Sequence, residues 1–248
     1  MLLVNIVQII KSVNNEKIKE LVKYKNKSVR DATNKFLVEG IHLVEEAIKE
    51  DLVIEVYLLE DSNLSYKYPI TYISKNVMEK LSMLESISPV IALCHKKENN
   101  VIGSRVLALD NIQDPGNLGT MIRSACAFNF DTILLSSDSV DLYNPKVIRS
   151  TKGMIFHTNV ITCNLEDKLL NLKNNNYDIL TTNVNNGIDI KTYQPSDKLA
   201  LIIGNEGHGV RDSIAKLSNY NIYIKMSNKC ESLNAAVAAS ILMYEVNK

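Results

Sequence analysis

Asn117, Arg123, Glu206, Ser232 and Asn234 fall in three short blocks of the C-terminal half, each placed where a backbone turn meets the start of a helical pattern. The blocks are Asp110-Asn111-Ile112-Gln113-Asp114-Pro115-Gly116-Asn117-Leu118-Gly119, continuing to Arg123; Gly204-Asn205-Glu206-Gly207-His208-Gly209; and Glu231-Ser232-Leu233-Asn234-Ala235-Ala236-Val237-Ala238. Each follows an apolar run of strand type, so all three can meet at the carboxyl edge of one sheet, where open α/β folds bind ligands. The chemistry open to them is ligand and anion binding. Glycines after a strand let backbone approach a ligand or turn with positive φ, and a helix N-terminus offers N–H donors and positive potential to a phosphate or carboxylate.

Each block also has a plain structural use. Asn117 fits as a cap for the helix opened by Asp114-Pro115-Gly116, with Arg123 a surface cation. Ser232, read as the start of the last helix, and Asn234 fit as groups satisfying orphan N–H donors. The glycine loop lacks both the Gly-x-Gly-x-x-Gly of a dinucleotide fold and the Lys-Ser/Thr of a P-loop, and taken alone it reads more readily as a plain turn than as a functional loop. His208 stands inside this loop, while His42, His95 and His157 have no ligating neighbours at metal spacing, and no metal is expected. Cys94, Cys126, Cys163 and Cys230 form no Cys-x-x-Cys pair, so neither a zinc ribbon nor a disulfide framework is indicated, and reduced thiols are expected.

The elements that must position these residues follow from periodicity. In the C-terminal part, strands are expected at Val106–Leu109, Thr132–Leu135, Thr158–Thr162, Asp178–Thr181, Leu199–Ile203 and Ile222–Met226, alternating with helices, which predicts a parallel, doubly wound sheet. The last helix, from Ser232 to about Val246, is apolar around much of its circumference and must be buried against something; a homodimer joined through the C-terminal domain is the expected answer. The N-terminal part reads as a smaller α/β unit, with helical spacing at Glu16–Tyr24, Ile41–Ile48 and Val77–Leu84 and strands at Val53–Leu59, Ile70–Ser74 and Val90–Leu93. The polar run Lys96-Lys97-Glu98-Asn99-Asn100 reads as the linker, giving domains 1–97 and 98–248.

The 248 residues carry a formal net charge of +0, with 46% hydrophobic and 23% charged residues, a globular composition. Charge is uneven along the chain. Between Lys11 and Lys35 eight basic residues face three acidic ones, and Lys17, Lys23, Lys25, Lys27 and Arg30 are candidate contacts to an RNA phosphate backbone, with a solvated helix face as the alternative. No apolar run reaches the ~20 residues of a membrane span and the opening Met1-Leu2-Leu3-Val4-Asn5-Ile6 shows no signal-peptide pattern, so a cytoplasmic protein is expected.

In order, spacing and residue identity the three blocks resemble motifs 1, 2 and 3 of the SpoU (TrmH-like) branch of the SPOUT RNA methyltransferases. Lys35-Phe36-Leu37-Val38-Glu39-Gly40-Ile41-His42-Leu43-Val44-Glu45-Glu46-Ala47 is similar to the opening of that family's L30e-like substrate-binding domain. The resemblance implies an α/β architecture in which an L30e-like RNA-binding domain precedes a trefoil-knotted SPOUT domain; periodicity cannot reveal a knot. It implies S-adenosyl-L-methionine as cofactor, held by Gly204, Asn205, Gly207, Ile224, Met226 and Leu233, and transfer of its methyl group to a ribose 2′-hydroxyl, with Asn117, Arg123, Glu206, Ser232 and Asn234 as catalytic residues. Arginine stays protonated in proteins, which favours an electrostatic role for Arg123 over that of a base. The two-domain arrangement leans toward ribosomal over transfer RNA. A transfer-RNA enzyme, a base methylase and a catalytically silent RNA binder of the same fold remain alternatives. Lys225 replaces a frequent proline, Asn228 a frequent glycine, and Ser88-Pro89-Val90-Ile91 lacks the usual Gln-Gly.

Overall fold

The computed structural model describes residues 9–84, 86–98, 101–183 and 187–247. The opening segment and the end of the linker run lie outside them. The chain forms two compact units, Met1–Glu98 and Asn99–Lys248.

In the first unit β1 (Ile9–Ile10), α1 (Glu16–Lys23), α2 (Lys27–Thr33), β2 (Lys35–Glu39), α3 (Ile41–Lys49), β3 (Val53–Leu59), β4 (Ile70–Ile73), α4 (Lys75–Leu81) and β5 (Val90–His95) build a five-stranded sheet of order β1-β4-β3-β5-β2. β2 and β3 run antiparallel to β5, whereas β4 is parallel to β3 and to β1. Periodicity anticipates neither α2, whose only large apolar residue is Val29, nor β2, whose apolar run is just Phe36–Val38 between the charged Lys35 and Glu39. The core is Ile18, Leu21, Tyr24, Leu37, Tyr57, Ile73, Val77 and their neighbours.

The Lys35–Ala47 stretch has a structural purpose. Glu39 is 7% exposed, and its carboxylate accepts from Ser82 Oγ at 2.6 Å, Met83 N at 2.9 Å and Ser88 N at 3.4 Å, fixing the connection from α4 to β5. Gly40 follows with φ +112°, a backbone conformation that glycine adopts without steric cost.

The second unit contains β6 (Arg105–Leu109), α5 (Pro115–Ala127), β7 (Thr132–Ser136), α6 (Pro145–Ser150), α7 (Met154–His157), β8 (Asn159–Cys163), α8 (Leu165–Asn174), β9 (Asp178–Thr182), β10 (Ile188–Asp189), a 3-10 turn (Ile190–Thr192), β11 (Leu199–Ile203), α9 (Asp212–Ala215), β12 (Tyr220–Tyr223) and α10 (Ala235–Val246). Its sheet has the order β10-β12-β9-β11-β6-β7-β8, and every ladder is parallel. Val106, Ala108, Leu134, Ala200 and Ile202 pack with Leu165, Leu169 and Leu172 of α8 and Ile214 of α9. The alternate positions Leu107, Leu109, Ile133 and Leu201 are equally buried, so the sheet is covered on both faces. On the side of α10, that helix packs on α5 and β11.

Two differences from the expected boundaries bear on the site. The last strand ends at Tyr223, its final ladder pair with β9 being Ile222 with Thr182, so Ile224–Met226 leave the sheet. The last helix begins at Ala235 and is capped by Asn234, whose Oδ1 accepts from Ala236 N at 2.9 Å and Val237 N at 3.2 Å; Ser232 precedes it. Asn228 has no positive φ, so the substitution for glycine needs no left-handed backbone.

Candidate active site

From β6 the chain steps outward through β7 to β8, then returns to build β9 and β11 on the other flank of β6. The strand order reverses there, and the carboxyl ends of β6 and β11 carry the first two blocks side by side. Ligands in open α/β sheets bind at such a switch point. Asp110 N donates to Ile203 O at 2.9 Å, extending the pairing into the loops.

Glu206, Asn117 and Asn234, one from each block, form a hydrogen-bonded chain. Asn117 Nδ2 donates to Glu206 Oε1 at 3.0 Å, and Asn234 Nδ2 donates to Asn117 Oδ1 at 2.9 Å. The direction of both amides is fixed. A carboxylate only accepts, so Asn117 must turn its Nδ2 to Glu206, and the helix N–H groups only donate, so Asn234 must turn its Oδ1 to α10. Each carboxamide keeps a second N–H for a ligand.

Glu206 also receives the backbone N–H of Asp114 at 3.1 Å and of Gln113 at 3.3 Å. Burial pushes its carboxyl upward, but the hydrogen bonds from Asn117 and from backbone N–H groups outweigh it and hold the carboxyl below its ordinary value, as a carboxylate. Asp114, rather than Asn117, caps α5, with Oδ1 accepting from Asn117 N at 2.7 Å. That leaves the Asn117 amide for the site.

The glycine loop is held from below by contacts the sequence reading does not anticipate. Asp110 is fully buried; it accepts from Arg211 N at 2.9 Å and Arg211 Nε at 2.8 Å, and also pairs with Arg211 Nη2. Arg211 Nη1 reaches Asp138 Oδ2 at 3.1 Å, and Asn205 Nδ2 donates to Asn111 O at 2.8 Å. Asp110 signals itself only as an acid at the end of an apolar run; nothing in the spacing names Arg211 as its partner. The need for Gly204 also differs from the reading of close ligand approach. A Cβ there would lie 2.1 Å from Gly209 C and 2.2 Å from Val210 N, so the loop's own backbone excludes it. Gly209 supplies the turn, with φ +74°.

A cleft of about 840 Å³ opens beside this chain. Gly204, Asn205, Gly207, Ile224, Met226 and Leu233 all line it, as do Glu206 and Ser232. Arg123 does not. It is exposed on α5, and six helical positions at ~100° each turn it away from Asn117; its guanidinium has no hydrogen-bond or ion-pair partner among the described residues. Ser232 is exposed at the cleft, its carbonyl accepting from Cys230 Sγ at 3.1 Å.

The N-terminal cations divide. Arg30 is 5% exposed, and its Nη1 donates to Tyr24 O at 2.7 Å and Lys25 O at 2.8 Å at the end of α1, which corrects its reading as a phosphate contact. Lys17 pairs with Glu55 and lies 5.4 Å from the Tyr57 ring centre. Lys25 Nζ donates to Lys80 O and Ser82 O, and burial lowers its pKa. Lys23 and Lys27 are exposed, and their side chains form no hydrogen bond or ion pair among the described residues, Lys27 acting on Asp31 only through its charge.

The profile of the SpoU rRNA Methylase family matches residues 104–244, which hold all three blocks. The chain belongs to the SpoU rRNA methylase family. Residues 15–92 match the family described as MRM3-like substrate binding domain. The chain is 37% identical over 243 residues to the 23S rRNA (guanosine(2553)-2′-O)-methyltransferase RlmP of Bacillus subtilis, covering 96% of this chain and 98% of that one. Its fold is shared with the crystal structure of an RNA 2′-O ribose methyltransferase, at TM-score 0.82 and 26% identity over 96% of this chain and 98% of that one. It is shared also with the AdoMet-bound rRNA methyltransferase of Sinorhizobium meliloti, at TM-score 0.84 and 23% identity over 96% and 97%. Among the described residues no helix is long and apolar enough to cross a membrane, and no group of three or more His, Cys, Asp or Glu could hold a metal ion.

Proposed function

We propose that this SpoU-family chain transfers the methyl group of S-adenosyl-L-methionine to a ribose 2′-hydroxyl of ribosomal RNA. The observation that carries the reading is the chain Glu206–Asn117–Asn234, one residue from each block, at the rim of a cleft lined by the six proposed cofactor contacts. Ribosomal rather than transfer RNA is favoured by the likeness to the Bacillus subtilis 23S rRNA enzyme.

The cleft fits the cofactor's chemistry. Ile224, Met226, Leu233 and Leu242 offer apolar walls to an adenine, and the backbone of Ile224–Met226, outside the ladder, has N–H and C=O groups to meet its edge. The bound cofactor supplies a methyl group on a sulfonium, an electrophile for the ribose oxygen. The Glu206 carboxylate adds a negative potential and locks Asn117, whose remaining N–H, with that of Asn234, orients the ribose oxygen and its neighbouring phosphate. Ser232 adds a hydroxyl at the same mouth, and exposed Arg123 is assigned to a substrate phosphate. Preorganised dipoles of this kind require no reorganisation as charge develops on the nucleophile.

The working unit is proposed to be a homodimer through the C-terminal domain, the knot and a cytoplasmic location being further expectations of the family. Val237, Ile241 and Tyr244 recur on one face of α10 and are 47%, 37% and 58% exposed, an apolar stripe suited to a second copy. Met243 is fully buried and belongs to the core of the unit instead. The first unit is proposed to bind RNA, with Lys23 and Lys27 as its available cations. The function is tested by incubating the protein with methyl-labelled cofactor and in vitro transcribed 23S rRNA. Nucleoside analysis should find label in a 2′-O-methylated nucleoside; label on a base, or none, refutes the assignment.

A further inference from the structure

The stretch Leu142–Leu165 contains no aspartate or glutamate, although the whole chain balances 28 acidic against 28 basic residues. It does contain Lys146, Arg149 and Lys152, spaced three apart through α6 and the turn that ends it. Residues three apart on a helix are neighbours on its surface.

The orientation of α6 follows from burial. Val147, Ile148 and Thr151 are 0%, 3% and 0% exposed, so they form the inner side, and Lys146, Arg149 and Lys152 lie on the outer. The side chains of Lys146 and Arg149 enter no ion pair or hydrogen bond among the described residues. Ionic balance within the unit therefore does not account for them.

The helix is pressed against the catalytic one. Ser150 Oγ donates to Pro115 O at 3.0 Å, in the first turn of α5, two residues before Asn117. At Gly119 a Cβ would lie 1.8 Å from Ser150 Oγ and 2.9 Å from Ser150 C, so α6 meets α5 at contact distance where glycine alone fits. A cationic row is thus fixed on the helix that abuts the start of α5, which carries Asn117.

We infer that Lys146 and Arg149 form an RNA-backbone contact surface on the methyltransferase unit itself, holding phosphates beside the reacting nucleotide. The inference rests on the proposed function and adds a binding surface outside both the cleft and the N-terminal unit. Flexible cations without partners suit a backbone read for charge rather than sequence. Because the row stands on the helix that abuts the start of α5 and none of its residues lines the cleft, its loss should weaken productive docking of the RNA while leaving the cofactor cleft intact.

The test is Lys146→Gln/Arg149→Gln in the full chain, with in vitro transcribed 23S rRNA as probe and circular dichroism to confirm folding. Both side chains are exposed, so the fold is expected to persist. RNA affinity should fall, and the slope of log affinity against log salt should flatten by roughly 1–2, two contacts at ~0.7–0.9 each. KM for RNA should rise about tenfold or more, with a smaller change in kcat and unchanged affinity for S-adenosylmethionine. Wild type that methylates the RNA beside a double variant of unaltered affinity and salt slope would overturn this inference alone. Wild type that neither binds nor methylates the RNA would overturn the functional reading, and this inference with it.

Discussion

Replacing Asn117 by alanine removes the middle of the hydrogen-bonded chain while leaving its ends anchored. Glu206 keeps the N–H groups of Gln113 and Asp114, and Asn234 keeps its cap on α10. Two side-chain hydrogen bonds are lost, at 3.0 and 2.9 Å, in a half-buried position open to water. Hydrogen bonds there contribute about 1 kcal/mol each or less to stability, since water replaces them. The reaction should suffer more. Loss of one preorganised polar partner costs ~10²–10³ in rate, or ~3–4 kcal/mol of barrier. Single-turnover methyl transfer to 23S rRNA should fall by that factor, while calorimetry gives an S-adenosylmethionine affinity within about threefold of wild type. Asn117→Asp should fare no better despite its equal size, because it puts a carboxylate where Glu206 now meets a donor. An alanine variant keeping more than a tenth of wild-type turnover, or losing cofactor affinity in step with rate, would refute the role assigned to this chain.

Gly204→Ala should lower stability by about 1–3 kcal/mol, because the Gly209 and Val210 backbone must move to admit the Cβ, and should weaken cofactor binding through the same displacement; an unchanged melting temperature would contradict it. Glu206 has a folded-state pKa below its ordinary 4.5, so its contribution is complete above that value and is lost as pH falls through the folded pKa. The stability difference between wild type and Glu206→Gln should accordingly be constant above pH ~5 and shrink in more acidic solution, and a difference independent of pH down to ~3 would count against the assignment. Ile241→Glu places a charge on the exposed stripe of α10 and should yield a folded, monomeric and poorly active protein by light scattering and circular dichroism. Active wild type with a mass near 27.8 kDa would remove the dimer.

Sequence alone determined the parts whose cause is local. Short apolar runs such as Leu199–Ile203 and Val106–Leu109 read as buried strands, and the glycine, proline and asparagine after them as turns leading into helices, so the three blocks were legible together with the doubly wound class. The last strand ends three residues short of Met226 although Ile224 and Met226 are apolar, because these two side chains line the cleft beyond the ladder. β2 offers no such signal: only Phe36, Leu37 and Val38 are apolar, between the charged Lys35 and Glu39, and a run of three is too short to mark a strand.

Tertiary structure decided who meets whom. Asn117 lies 89 residues from Glu206 and 117 from Asn234, and only the order β11-β6, with β12 on the same flank, makes them neighbours. The same holds for Asp110 with Arg211, 101 residues apart, and for α6 against α5. It also set the fate of single side chains that composition treats alike: Arg30 turned inward to backbone carbonyls while Lys23 stayed in solvent, and Met243 entered the core while Ile241, two residues away, remained on the surface. Periodicity reports which residues avoid water; which groups then face one another depends on strand order and helix rotation, and these are fixed only when the whole core packs.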